Sequence, residues 1–485
     1  MGRHTTTLLA LTALAGLSAA DETWTISAST DWGTWEGWGV SLAWWAKAFG
    51  TRSDLADLFF SLDTTTYNSA SVPGLGLNMA RYNAGACSNN TYAGAAMAVS
   101  PAMMASRQMD GYWWDWASGD PASSSWHWTV DASQRAMLAA AVQRGANHLE
   151  LFSNSPMWWM LYNRNPSGAD DGGSDNLQTW NYDNHTHYLA EIALYAKQQW
   201  GVAFESVEPF NEPSAAWWAA TSGTQEGCHF DVATQAAVVA SQRSALDGVG
   251  LASVAVSASD ENTYDEAVAT WDGLGSAAVR ALRRVNVHGY EDGSGSRDGL
   301  YALATAQGLR IWNSEYGDSD GSGASLVSNL ILDLRWLHPV GWVYWQAVDV
   351  EGWGLVAGDN EAVTLGAVSQ KYYALAQFTR HIREGMVILD GGADHVVAAY
   401  DAAQAKLVIV AVNWGAAQYL NFELSAFSTP GTSGQAIPRW STVVGAGGGS
   451  QYVETAADTV QHGTVFWSYF ETNEIQTFEV AHVKM

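Results

Sequence analysis

Phe204-Glu205-Ser206-Val207-Glu208-Pro209-Phe210-Asn211-Glu212-Pro213 reads as a short buried strand that ends in an Asn-Glu pair and is stopped by proline. Leu309-Arg310-Ile311-Trp312-Asn313-Ser314-Glu315-Tyr316-Gly317 repeats the arrangement, with a glutamate at the end of an apolar run and a strand-breaking residue close behind. In a β/α barrel the functional groups sit at the C-terminal ends of the strands, where both glutamates fall. Hydrolysis of a glycosidic bond needs two carboxyls: one protonates the leaving oxygen, and the other attacks the anomeric carbon or activates water. Glu212 and Glu315 are therefore the candidate catalytic residues. The plainer alternative is a pair of helix-capping or salt-bridged surface glutamates.

Working outward, eight strand-like runs are each followed by a loop and then a segment with helical spacing. They are Trp38 to Leu42, Leu75 to Arg81, His148 to Ser153, Phe204 to Asn211, Ser253 to Ser257, Val285 to Gly289, Leu309 to Glu315 and Gly341 to Gln346. Helices are predicted over Ala136 to Arg144, Tyr188 to Gln199, Ala233 to Leu246, Ala277 to Arg284, Tyr301 to Gln307 and Leu326 to Leu337. Past the helical segment Lys371 to Ile382 the pattern turns to alternating strands with tight turns. The predicted fold class is α/β, a (β/α)8 TIM barrel with an accessory C-terminal β-sandwich. The expected division is a signal peptide over 1–20, N-terminal strand(s) joining the sandwich over 21–35, the barrel over 36–382 and the sandwich over 383–485.

Arg3 and His4, the apolar stretch Leu8 to Leu17 and the small residues Ser18-Ala19-Ala20 have the layout of a secretory signal, with Asp21 near the mature start. No later segment reaches the roughly 20 apolar residues of a membrane helix. The expectation is a secreted, extracellular protein with no membrane partner. A formal charge of -27 repels polyanions, which excludes nucleic acid as a partner, and the acidic surface points to a monomer. The two cysteines, Cys87 and Cys228, either form a disulfide in an oxidising compartment or stay as buried thiols. Sequons at Asn89 and Asn184 are possible N-glycosylation sites.

The 12 histidines show no paired ligand spacing beside a carboxylate, and no glycine cluster is followed by the Lys-Ser/Thr of a phosphate loop. No cofactor and no metal are expected. Tryptophan is the compositional outlier at 26 residues, often doubled. Indole faces stack on the C–H face of a sugar while polar groups read its hydroxyls, which favours a polysaccharide substrate.

Six stretches carry a specific resemblance: Gly37 to Ala46, Phe152 to Met160, Glu208 to Pro213, Gly223 to Phe230, Val285 to Tyr290 and Trp312 to Gly317. Together they make the chain resemble glycoside hydrolase family 30, and within it the fungal endo-β-1,6-galactanase branch. The resemblance implies a retaining enzyme with Glu212 as acid/base and Glu315 as nucleophile, acting on the β-1,6-galactan side chains of arabinogalactan proteins. It implies that Asn211 bonds the sugar 2-hydroxyl, that Arg81 and Tyr290 hold the nucleophile, and that His288 meets a sugar hydroxyl or Glu212. Trp345 would be the platform under the sugar, with Asn154 in the same subsite. Trp45 and Trp158 are further substrate-binding candidates alongside Trp44, although neighbouring indoles cannot all face one cleft. Gly289 is expected to leave room near the sugar for the axial hydroxyl of galactose. The alternatives are a β-1,6-glucanase or xylanase of the same family, and a non-catalytic carbohydrate-binding protein.

Overall fold

The computed structural model describes residues 22–350 and 352–485. The expected signal peptide lies outside the described residues. Eight parallel strands close a barrel in chain order: β1 (Gly37–Ser41), β2 (Met79–Asn83), β3 (His148–Phe152), β4 (Ser206–Glu208), β5 (Ala255–Glu261), β6 (Arg284–His288), β7 (Arg310–Tyr316) and β8 (Gly341–Tyr344). Gly341 of β8 pairs with Gly37 of β1 and completes the ring. A β-carbon at Gly341 would stand 2.5 Å from Met79 Cε and 2.8 Å from Trp312 Nε1, so glycine lets those two side chains plug the lower barrel.

One strand and one helix differ from the sequence expectation. The fifth strand runs to Glu261 rather than stopping at Ser257, because Ser259, Asp260 and Glu261 are buried polar groups rather than turn residues, with Glu261 bonded to Gln235 and Thr270 of the helix layer. The predicted helix Ala277 to Arg284 is the tail of a longer one, Tyr264–Ala281, kinked at Gly275. Its Ala- and Arg-rich sequence has high helix propensity, yet Arg284 starts β6 and is buried with its guanidinium 3.3 Å above the Trp312 ring centroid.

The barrel interior above that plug is ionic. Glu150 of β3 accepts bonds from Arg81 Nε (2.9 Å), Ser206 Oγ (2.9 Å), Ser257 Oγ (2.9 Å) and Asn286 Nδ2 (2.9 Å), and also pairs with Arg284. A buried charge is tolerated only when it is paired and hydrogen-bonded, and this one takes every partner the surrounding strands offer.

The accessory domain is a sandwich. A six-stranded sheet runs in the order Val387–Asp390, Val396–Asp401, Lys406–Asn413, Glu474–Ala481, Arg439–Val443, Val453–Thr455. Facing it are Glu22–Thr25, Gln418–Glu423 and Val465–Phe470, with the N-terminal strand parallel to Gln418–Glu423. The period of two sorts the large sheet: Ala398, Leu407 and Ile409 join Phe422, Phe466 and Phe478 between the sheets, while Val397, Ala399, Val408 and Val410 pack in the barrel-side core. Gln377, on the helix Gln370–Thr379, bonds Thr442 (2.9 Å) and Thr477 of that sheet and fixes the sandwich to the barrel. Among the described residues no helix is long and apolar enough to cross a membrane.

The cysteines do not pair. Both are buried free thiols. Cys87 donates to Glu226 Oε1 at 3.3 Å while Cys228 points to the His229 carbonyl, so each thiol is directed at its own acceptor. Asn89 is exposed on a loop, whereas Asn184 lies in the helix Tyr182–Tyr195 with Nδ2 donating to Asn181 Oδ1 at 2.7 Å.

Several buried carboxyls sit far above the usual range because burial disfavours their charge. Asp131 and Glu226 are each pushed up to about 7, and Glu208, whose two oxygens have no hydrogen-bond partner, lies well above its ordinary 4.5. Between about pH 4.5 and 7 these carboxyls hold more protons in the folded chain than in the unfolded one, and their contribution to stability falls as pH rises through that window; His185, lowered to about 4 by burial, opposes them below its ordinary 6.5. The thermal midpoint is expected to be higher at pH 5 than at pH 8 by at least about 5 °C, measured by calorimetry at fixed ionic strength. A midpoint that rises toward pH 8 would contradict these assignments.

Candidate active site

Glu212 follows β4 with φ 48°, a left-handed conformation rare outside glycine, and Asp260 of β5 has φ 59°. The Glu212 amide donates to the Asp260 carbonyl at 2.8 Å, so the two strained residues support each other. Glu315 lies in β7. One carboxylate oxygen of Glu212, one of Glu315 and a ring nitrogen of His288 all fall within 4.8 Å of one another. Retaining glycosidases hold their carboxyls about 5–5.5 Å apart and inverting ones about 6.5–9.5 Å. An oxygen-to-oxygen approach inside 4.8 Å fits the first class.

The surroundings of the two glutamates differ. Glu315 Oε1 accepts from the Tyr290 hydroxyl at 2.9 Å, and Oε2 lies 3.4 Å from Arg81 Nη1. Glu212 Oε1 accepts from Asn262 Nδ2 at 2.7 Å and from His288 Nδ1 at 3.1 Å. The other ring nitrogen of His288 is 3.2 Å from Asp260 Oδ2. Burial works against the imidazolium, but the carboxylates of Glu315 and Asp260 outweigh it and raise His288 to about 10. Burial raises Glu315 to about 7; the charge of Glu212 adds to this, and the cations of His288 and Arg81 oppose it. Donors on both oxygens of Glu315 favour its charged form and oppose the effect of burial.

Asp260 is the hub beneath. It pairs with Arg81, accepts from Ser314 Oγ and faces His288, and these contacts hold its own carboxyl well below the usual range although burial pushes the other way. Arg81 is completely buried, with Glu150, Asp260 and Glu315 around its guanidinium.

The cleft above the dyad is lined by Glu212, Glu315, Tyr290, Trp345, Asn262, Trp217, Trp218, Thr224, Gln225 and Trp353. Trp345 stands with Trp44 perpendicular to it at 5.0 Å. Asn154 has neither amide atom paired, and Asn211 Oδ1 is likewise buried without a partner. Such atoms cost about 1–3 kcal/mol each unless a ligand satisfies them. Trp45 and Trp158 are corrections. Trp45 is fully buried, donating to the Ser41 carbonyl at 2.7 Å with its ring edge-on to Phe59, and Trp158 is fully buried with Nε1 on Ser88 Oγ. Both indoles are spent on packing and neither reaches the cleft.

Gly289 is a correction too. A β-carbon there would meet Asn313 Nδ2 at 2.7 Å, Asn329 Nδ2 at 3.0 Å and the Tyr264 hydroxyl at 3.1 Å, all groups that donate to the buried Asp333. It faces the helix layer rather than the sugar. Gly289→Ala is expected to destabilise the fold by about 1–3 kcal/mol while leaving the ratio of rates on competing polysaccharides unchanged, read by denaturant unfolding and initial rates.

Asp260, Asn262, Trp217 and Trp353 escaped the sequence reading. The signal was present in Asp260-Glu261-Asn262, a carboxylate and amide cluster like Asn211-Glu212, but it lay beyond where the strand was ended. Among the described residues two clusters could offer three ligands to a cation: the Glu212, His288, Glu315 group, and Glu36, His148, Glu205 below the barrel. In the first the imidazolium has no free lone pair, and in the second Arg310 and Arg284 already neutralise the carboxylates.

The sequence pattern of O-Glycosyl hydrolase family 30 matches residues 20–280. The chain is 57% identical over 475 residues to an endo-β-1,6-galactanase of Hypocrea rufa, covering 98% of each protein. Its fold is similar to the catalytic domain of the family 30 xylanase C of Talaromyces cellulolyticus, with TM-score 0.70 and 19% identity over 95% of this chain and all of that one. A conserved exported protein of Bacteroides fragilis gives TM-score 0.75 at 16% identity over 95% and 100% of the two chains. With this barrel and sandwich, and with that relative matched almost end to end, the chain belongs to glycoside hydrolase family 30.

Proposed function

We propose that the protein is a secreted, monomeric, retaining endo-β-1,6-galactanase that cuts the β-1,6-galactan side chains of arabinogalactan. The observation that carries the reaction type is the Glu212–Glu315 spacing, with one oxygen of each carboxyl inside 4.8 Å. The substrate class is supported by the 57% identity to an endo-β-1,6-galactanase along nearly the whole chain.

In this reading Glu212 protonates the leaving oxygen as Glu315 attacks the anomeric carbon, giving a galactosyl ester on Glu315. Ester formation removes the negative charge beside Glu212, which then takes a proton from the incoming water and returns the dyad to its starting state. Arg81 and Tyr290 aim Glu315 at the anomeric carbon, and His288 keeps a positive charge between the carboxyls through both steps. Trp345 supplies the face on which the sugar stacks, and the unpaired atoms of Asn211 and Asn154 bond its hydroxyls. Asn89 is the sequon open to glycosylation.

Product analysis tests this. Incubation with de-arabinosylated arabinogalactan, β-1,6-glucan and xylan in parallel is expected to yield short β-1,6-galacto-oligosaccharides from the first alone. Cleavage of glucan or xylan instead would move the substrate and keep the chemistry.

A further inference from the structure

A second pocket, of about 330 Å³, lies on the barrel face that carries the catalytic loops, lined by Trp116, Trp159, Arg164, Gln178, Trp180, Asn181 and Asn184. It shares no lining residue with the catalytic cleft. Trp116 comes from the long loop after β2, and Arg164, Gln178 and Trp180 come from the loop after β3. Its size is at the lower end of the range for small-ligand sites, about 300–1,000 Å³.

We propose that this pocket is a second sugar-binding site, which holds one neutral pyranose of the same polymer chain that is cut between Glu212 and Glu315. Trp180 is 68% exposed and Trp116 41% exposed, although indole is ordinarily kept mostly buried. Each rests against another ring: Trp180 meets the half-exposed Tyr162 edge-on at 5.7 Å, and Trp116 meets Tyr92 edge-on at 4.8 Å while leaning on the buried Trp159. An exposed indole braced by a neighbouring ring is a stacking surface whose ordering cost is partly met in the free protein.

The polar rim has the matching chemistry. Among the described residues no group of the protein bonds the exposed Arg164 guanidinium or accepts from it, and none donates to Asn184 Oδ1. Gln178 is held by its bonds to the Leu161 carbonyl at 3.0 Å and to Asn181 at 2.6 Å, so the floor does not collapse into the space. Fixed aromatic faces ringed by unclaimed donors and an acceptor fit a ring with an apolar C–H face and several hydroxyls. An apolar peptide would leave the guanidinium unmet.

The proposal rests on the polysaccharide hydrolase reading above, and the test separates the two. Trp180→Ala and Trp116→Ala, both exposed positions, are compared with the parent on the long polymer and on the shortest oligosaccharide that is cut. The expected result is a rise in KM of about 3- to 10-fold on the polymer, with kcat and the short-substrate kinetics unchanged. In a gel containing the polymer, the inactive Glu315→Ala protein should be retarded, and adding Trp180→Ala should relieve the retardation.

Equal kinetics of parent and both variants on the polymer would overturn the second site while leaving the catalytic reading intact. So would a glycan on Asn184 of the secreted protein, found by peptide mass, since it would fill the same space. If β-1,6-galactan is not cut at all, the same comparison is made on the polymer that is.

Discussion

Glu315→Ala is expected to lower kcat by about 10⁴- to 10⁶-fold, with the fold and the thermal midpoint close to those of the parent. The carboxylate is the only group placed to form the glycosyl ester, and its loss leaves no second route with comparable alignment. Arg81 remains paired with Glu150 and Asp260, while the Tyr290 hydroxyl loses the carboxylate it bonds and is left to water. Sodium azide should restore part of the rate on an aryl galactoside, because a small anion fits where the carboxylate stood, and the glycosyl azide formed should have inverted configuration. Glu212→Ala should behave differently. It should lose about 10²- to 10⁴-fold on galactan yet little on the first step with a good leaving group, since an aryl oxide needs no proton. If both variants lose the same activity on both substrates, or if rescue by azide gives the retained product with Glu315→Ala, the roles assigned to the two glutamates are wrong.

Asp260→Asn is the second large effect. The substitution keeps the shape but removes the charge that Arg81, His288 and Ser314 all face. His288 then loses one of the two carboxylates that raise it to about 10, and its upper ionisation should move toward neutrality. The expected outcome is a fall in kcat of about 10²- to 10³-fold, the scale on which one preorganised electrostatic group acts. The alkaline limb of the kcat/KM profile should also shift to lower pH. The imidazolium contributes stability that is complete below its unfolded value near 6.5 and is lost as pH rises toward 10, so the variant should lose stability mostly below pH 8 relative to the parent. A merely structural role would reduce stability without moving the pH profile, and that result would overturn the positioning role.

These two residues also mark where the chain could and could not be read directly. Glu315 stood out because Ile311 and Trp312 give β7 a buried apolar start after Arg310, and a carboxylate at the end of such a strand has few other uses. Glu212 stood out through proline directly behind it. Asp260 was hidden because the upper half of β5 is Ser-Ala-Ser-Asp-Glu, a composition that reads as a turn unless the barrel interior is known to be ionic. Arg284 was hidden for the opposite reason, since its neighbours have strong helix propensity while the site itself is decided by Glu150 and Trp312, distant in sequence. The tryptophans show the same division. Trp345 follows a barrel strand and lines the cleft, but nothing in the local pattern separates exposed Trp217 from buried Trp218 or from Trp45.

By itself the sequence determined the closed barrel, the sandwich and the two glutamates, because these depend on local period, strand breakers and the order of elements along the chain. Only the tertiary structure decided which indoles line the cleft, that Cys87 and Cys228 stay apart, that Gly289 serves packing and that Asp260 ties Arg81 to His288. Those outcomes are set by burial and by partners from strands and loops far apart in the chain, and no local pattern encodes which distant group a side chain will meet.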